Sequence, residues 1–177
     1  MRNAVKFLLA LIVAVILLFA FRALAFTIYT IPNKALEPML LQGDRIMVNR
    51  WSYGLRVGGD FCFPYERIFK SSVKKGDFIA FNSPLDTFHR MSFRDVFVGK
   101  VIALPGDTIT AYGEKFVIPK GCQMCSCQRK GPYLISSPKG GNEILVPERN
   151  IIGRVFIIVY NLNGFKFRTD RWFQPIQ

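Results

Sequence analysis

The sequence predicts a mainly β, antiparallel body carried on one amino-terminal transmembrane helix. Three observations lead there. Residues 7–21 form an uncharged apolar run of 15 residues. Beyond Ile31-Pro32 no long stretch of helical period follows, and short β-branched and aromatic runs recur between Gly, Pro and Asp turns. With 177 residues, 50% hydrophobic and 20% charged, the chain has the composition of a folded domain, which excludes both a large multidomain enzyme and a disordered chain.

The anchor comes first. Residues 7–26 number 20, enough to cross about 30 Å of hydrocarbon when Arg22 snorkels toward one face. A basic start, the apolar run and Ala23-Leu24-Ala25 also fit a cleaved secretory signal. The apolar and aromatic residues that continue through Phe26, Ile28 and Tyr29 favour a retained anchor. Arg2, Lys6 and the amino terminus outweigh Arg22 on the far side, which predicts a cytoplasmic tail over residues 1–6 and an extracytoplasmic body over residues 27–177. Lys34 narrows that margin.

Strands follow in the body. Arg45-Ile46-Met47-Val48 leaves the turn at Gly43-Asp44, and Asp77-Phe78-Ile79-Ala80-Phe81 follows Lys75-Gly76. Val96-Phe97-Val98 continues past Gly99 into Val101-Ile102-Ala103-Leu104; later runs cover residues 115–118 and 151–160. Gly153-Arg154 interrupts the last run and predicts a bulge or bend. Residues 56–75 and 121–141 read as loops or insertions, and residues 161–177 as an aromatic, basic tail. Several short strands between such turns predict an antiparallel sheet or partly closed barrel.

The net charge is +12. Arg56, Arg67, Lys70, Lys74 and Lys75 read as solvated loop charges, or as a patch held against an anionic leaflet. No nucleic-acid module is present, so no nucleic-acid partner is expected. Cys62, Cys122, Cys125 and Cys127 allow a disulfide in an exported body, a zinc site, or free thiols. His89 is the single histidine and reads as a surface residue, because one histidine makes neither a zinc triad nor a Ser-His-Asp site. No metal site is expected.

Two blocks carry a resemblance. Ile31-Pro32-Asn33-Lys34-Ala35-Leu36-Glu37-Pro38-Met39-Leu40, with Gly43-Asp44 and Val48-Asn49-Arg50 behind it, resembles the nucleophile segment of the bacterial type I signal peptidases. Lys75-Gly76-Asp77-Phe78-Ile79-Ala80-Phe81, and then Gly99-Lys100-Val101-Ile102-Ala103-Leu104-Pro105-Gly106-Asp107, resembles the segment that carries their general-base lysine. Tyr53-Gly54, Val146-Pro147-Glu148 and Ile151-Ile152-Gly153 are similar as well. The resemblance implies a membrane-anchored β fold with a groove for exported preproteins, a serine nucleophile, a lysine base and no cofactor. It also implies a framework role for Pro38, Gly43, Asp44, Pro105, Gly106 and Asp107.

The chain departs from that pattern at the reacting atoms. The serine position falls on Ala35, whose methyl group has no oxygen to attack a carbonyl. The lysine position falls on Gly99. Lys100 is one residue further along a strand and points to the other face unless a bulge intervenes. Asn33 stands where the resemblance implies an oxyanion-binding serine; its amide offers a donor to a bound carbonyl or caps the loop. Leu36 replaces the usual methionine and reads first as local packing; Asn33, Leu36 and Val98 on the groove strand are the candidate substrate contacts. The support segment with Ser-x-Asp-Ser-Arg is also missing; residues 133–142 stand there, with Ser136 and Ser137 read as loop residues.

The sequence therefore predicts a signal-peptidase-like membrane protein that is non-catalytic, with the phospholipid membrane and exported preproteins or an active paralogue as partners. Two other readings remain open. One is an active signal peptidase, with Ala35 an engineered change or with displaced groups acting; the other is a structural envelope protein that shares the fold alone.

Overall fold

The computed structural model describes residues 2–32, 34, 36–57, 65–86, 88–111, 114–121, 131–136, 143–163 and 166–176. A helix, α1 (Arg2–Ala25), runs directly into β1 (Phe26–Thr30). Then come β2 (Asp44–Asn49), β3 (Leu55–Val57), β4 (Glu66–Ile68), β5 (Phe78–Asn82), β6 (Val96–Ala103), β7 (Thr108–Ala111) and β8 (Glu114–Val117). The chain closes with β9 (Tyr133–Ser136), β10 (Ile144–Val146), β11 (Ile151–Asn163), β12 (Lys166–Arg168) and β13 (Gln174–Pro175). The main sheet has nine strands in the order β1-β2-β11-β5-β6-β9-β10, with β12 and β13 also on β11, and its pairings are antiparallel. The mainly β, antiparallel expectation holds.

β5 explains why the sheet has a core on each side. Phe78 and Ala80 pack with Leu36, Leu40, Ile46, Val48 and Ile158 on one face. Ile79 and Phe81 pack with Tyr53, Val101, Tyr133 and Ile135 on the other. A strand covered on both faces has no polar alternate, which is why its sequence reads as a continuous apolar run. β2 shows the opposite pattern, with Asp44, Ile46 and Val48 buried and the residues between them half-buried.

Gly153 supplies the bulge expected on β11. The register slips between Ile151 and Gly153 against β5, and a side chain at Gly153 would run into the Asn49 carbonyl. One turn design then occurs three times. In Gly43-Asp44, Gly76-Asp77 and Gly106-Asp107 the glycine has a φ of +87°, +93° or +96°, which a side chain would strain. The aspartate Oδ2 accepts the N–H of the residue three before it: Leu41 at 2.7 Å, Lys74 at 3.1 Å and Leu104 at 3.0 Å. Glycine N–H and aspartate C=O then bracket one distant buried residue, Ile31, Val101 or Ile118, at 2.8–2.9 Å.

Two of these carboxylates also reach outward. Asp44 is fully buried and receives the Asn161 amide at 2.6 Å and the Arg171 guanidinium at 3.0 Å. Asp77 receives the Tyr53 hydroxyl at 2.8 Å and lies 3.4 Å from Arg154 Nε.

Several sequence expectations need correction: β4 and β9 lie within the stretches 56–75 and 121–141 expected to be loops, and β12 and β13 lie within the expected tail. Arg67 is not a solvated loop charge: it is buried, and its guanidinium donates to the carbonyls of Tyr53, Gly54, Glu148 and Ile151 and to the Tyr65 hydroxyl. Five donors in a planar fork suit a nest of carbonyls, and sequence charge gives no sign of it. Ser136 is not in a loop; it is buried at the end of β9, opposite Lys100. Phe26 to Thr30 form a strand, β1, where the expected helix ran to residue 26. Cys62, Cys122, Cys125, Cys127 and Ser137 lie outside the described residues.

The helix is 24 residues long, about 36 Å at about 1.5 Å per residue. Side chains are described for its residues 5–19, all exposed, and for Ala25, which is buried. Among the described residues no helix is long and apolar enough to cross a membrane. The Arg50 N–H donates to the Ala25 carbonyl at 2.9 Å and fixes the end of α1 on the sheet.

Two predictions follow from the buried polar groups. Arg171→Ala leaves the Asp44 carboxylate buried with one cation fewer, and is expected to cost about 2–3 kcal/mol in denaturant unfolding, against within about 0.5 kcal/mol for exposed Arg168→Ala. Burial, reinforced by the Asp77 hydrogen bond and charge, pushes the Tyr53 hydroxyl well above its usual range. Burial pushes Tyr133 up to about 12. Both favour the neutral phenol in the fold, so their contribution is complete below the unfolded value of about 10 and is lost as pH rises from there through the folded values. Stability measured against pH should fall above about pH 10, less steeply in Tyr53→Phe.

Candidate functional site

The segment that carries Asn33 and Ala35 is a closed loop. Its two ends are joined, because Ile31 N–H donates to the Asp44 carbonyl and Gly43 N–H to the Ile31 carbonyl, each at 2.9 Å. Inside it the Leu40 N–H donates to the Leu36 carbonyl at 3.1 Å, and both leucines are buried in the core with Phe78 and Ala80. Two side chains brace it from outside: Gln42 Nε2 donates to the Pro32 carbonyl at 3.0 Å and Arg171 Nη2 to the Met39 carbonyl at 2.6 Å. Pro38 is exposed and follows Glu37 through a cis bond. Asn33 and Ala35 themselves lie outside the described residues, and Lys34 between them is exposed.

β6 forms the opposing wall. It pairs with β5 over residues 96–100 and with β9 from Lys100 onward. Among the described residues no strand covers residues 96–99 on the β9 side. Val96 and Val98 are partly buried against the same core as Leu36, as is Tyr29 of β1, itself an edge strand. An open strand edge beside partly buried apolar side chains can accept an extended peptide through main-chain hydrogen bonds.

Gly99 faces the other side of β6. It is buried, and a Cβ placed on it would lie 2.5 Å from Ile135 Cγ2, 3.1 Å from the Ser136 carbonyl oxygen and 3.7 Å from the Phe81 ring. The space where a side chain would begin is filled by Ile135. Lys100 is exposed on the opposite face, its Nζ 5.6 Å from the centre of the Phe78 ring opposite it in register. The amine and the glycine therefore sit on different faces, as alternation along the strand requires.

Pro105, Gly106 and Asp107 form the third of the repeated turns, at the far end of β6, and lead into the β7–β8 hairpin. Asp44 and Gly43 form the first, at the mouth of the loop. Ile135, Arg171, Asn161 and Tyr53 were not legible as parts of the site. The repeated Gly-Asp pairs could have marked three turns, but nothing in the sequence names the residue that each aspartate reaches. Among the described residues no group of three metal-ligating side chains converges.

A family described as signal peptidase, peptidase S26, matches residues 4–133. A protein named probable signal peptidase I-2 from Synechocystis sp. is 29% identical over 179 residues, covering 90% of this chain and 75% of its own length. Signal peptidase I P from Bacillus subtilis subsp. natto is 28% identical over 107 residues, 60% of this chain and 46% of that protein. Signal peptidase I from Buchnera aphidicola is 29% identical over 97 residues, 53% of this chain and 27% of that one.

The crowding at Gly99 gives a double-mutant test. Gly99→Ala is expected to cost about 1–3 kcal/mol by overpacking and Ile135→Ala about 2–5 kcal/mol by leaving a cavity. The double variant should cost less than the two together by at least about 1 kcal/mol in denaturant unfolding.

Proposed function

Because the chain belongs to the signal peptidase family, peptidase S26, we propose that it is a membrane-held member that binds an extended segment of an exported preprotein and does not cleave it. One observation carries the non-catalytic part. At the position matching the family's general base, Gly99 offers no amine, and Ile135 occupies the room in which a side chain would start. Peptide hydrolysis by a hydroxyl nucleophile needs both the oxygen and a base to take its proton, and Ala35 supplies no oxygen. The binding part is supported by the braced loop over residues 31–44 and by the edge at residues 96–99, which no strand among the described residues covers on the β9 side.

The anchor in this reading is α1. No described helix is long and apolar enough to cross a membrane, so this part of the reading rests on the sequence, in which residues 7–26 form an apolar stretch of 20 residues broken only by Arg22. The apolar side chains at residues 7–19 are exposed, which suits a lipid surround. The amino terminus, Arg2 and Lys6 then stay cytoplasmic and the body lies outside. An active paralogue is a second partner of the same chemistry, since it would present preproteins at the same membrane face.

The test uses full-length protein in detergent or vesicles with a signal-peptide-bearing preprotein. The native chain should leave the preprotein intact, and a photo-crosslinker at Val98 should capture an extended segment of it. Ala35→Ser with Gly99→Lys should stay silent while Ile135 is unchanged. Cleavage by the native chain that disappears in Lys100→Ala or Lys34→Ala would overturn the non-catalytic reading, and absence of crosslinks to varied preproteins would overturn the binding.

A further inference from the structure

The strand register gives β6 a direction relative to the anchor. One row of partners runs from Phe26, where α1 enters the sheet, through Asn49, Arg154 and Ile79 to Gly99. β1 leaves that row heading away from α1. Each pairing along the row is antiparallel, so β6, four pairings on, also heads away from α1 as it passes from Val96 to Lys100. Among the described residues the edge at 96–99 is uncovered, and at Lys100 it closes, because Ser136, the last residue of β9, pairs there. A strand laid on this edge from the anchor end meets the end of β9 after about four residues.

The closed end of that edge is cationic. Val96, Val98 and Lys100 share one face of β6 by strand alternation, and the two valines are half-buried against the core that holds Leu36 and Ala80. The face is apolar up to Lys100. There the exposed amine lies 5.6 Å from the centre of the Phe78 ring, on the groove side of the sheet. Among the described residues no carboxylate pairs with it. A cation at the blocked end of an apolar slot, with no anion of its own, is complementary to a ligand whose negative charge sits at its own end.

We propose that the groove takes an apolar, extended peptide that ends in a free α-carboxylate, and that Lys100 Nζ holds that carboxylate. This deepens the binding reading above and rests on its groove and its anchored orientation. A segment held in the membrane as α1 is, with its amino end cytoplasmic, emerges in the direction of β6 and brings its carboxy end to Lys100. In an intact preprotein the group at that point is a neutral amide, and the chain has to turn off the edge where β9 begins to pair. Once the peptide bond has been hydrolysed, the group is a carboxylate and the chain stops there. The ligand that fits is therefore the released signal peptide, and the reaction that supplies it is cleavage of the preprotein by an active endopeptidase.

The experiment titrates the full-length chain, in phosphatidylcholine vesicles, against a fluorescent synthetic signal peptide and reads the anisotropy. The peptide is made in three forms: the free acid, the carboxy-terminal amide, and a form extended by a short mature segment. The free acid should bind about tenfold more tightly than either of the others, the size of one charge-assisted bond at a partly exposed site. Lys100→Met, which keeps the stem and removes the charge, should abolish that difference; Lys100→Arg should keep it, and so should Lys115→Met on β8. Equal binding of acid and amide by the native chain overturns the capture of the carboxylate and leaves peptide binding in place. So does tighter binding of the extended form, a preference for the acid that survives Lys100→Met, or one lost equally in Lys115→Met. Binding of none of the three forms overturns the groove reading along with the proposal.

Discussion

The buried carboxylate of Asp44 is the interaction on which the rest of the site depends. It closes its own turn through the Leu41 N–H and draws in Asn161 from β11 and Arg171 from the tail. A carboxylate with no access to water is tolerable only when its lone pairs are filled and a cation stands beside it. Meeting that requirement brings β11 and the tail, both more than a hundred residues further along the chain, to the mouth of the loop over residues 31–44. Asp77 does the same on the other face, where Tyr53 and Arg154 answer it. Local turn chemistry thus becomes long-range architecture.

Much of this was readable in advance, for definable reasons. β2, β5, β6 and β11 announce themselves because burial on one or two faces leaves an apolar signature within a few consecutive residues. The bulge at Gly153 was legible because a lone glycine within an apolar run signals either a bulge or a close backbone approach. Arg67 was misread because a guanidinium that fills a nest of carbonyls has the same sequence signature as one in water. Ser136 was misread because β9 is four residues long and sits next to residues with turn character. Ile135 could not be found at all, since its importance comes from facing Gly99 across two strands that the chain order separates by more than thirty residues.

The geometry also separates two properties that usually go together. Everything that shapes the groove, including the braced loop, the edge of β6 and the core beneath Leu36 and Leu40, depends on apolar burial and backbone hydrogen bonds. None of it requires a hydroxyl at residue 35 or an amine at residue 99. The scaffold therefore keeps its form whatever stands at those two positions, and at residue 99 Ile135 packs where a side chain would begin. Sites are grafted on folds, and a fold persists when the graft does not.

The 13 residues of β11 pair with β2, β5, β12 and β13. Nothing joins β2 to β5 until that strand arrives between them. A chain synthesised from its amino terminus delivers it near the end, after about 150 residues have emerged. Until then the earlier strands wait as separate turns and hairpins with unpaired edges, the situation that makes high-contact-order sheets slow to close. The last strands of such a chain act as the keystone of its sheet.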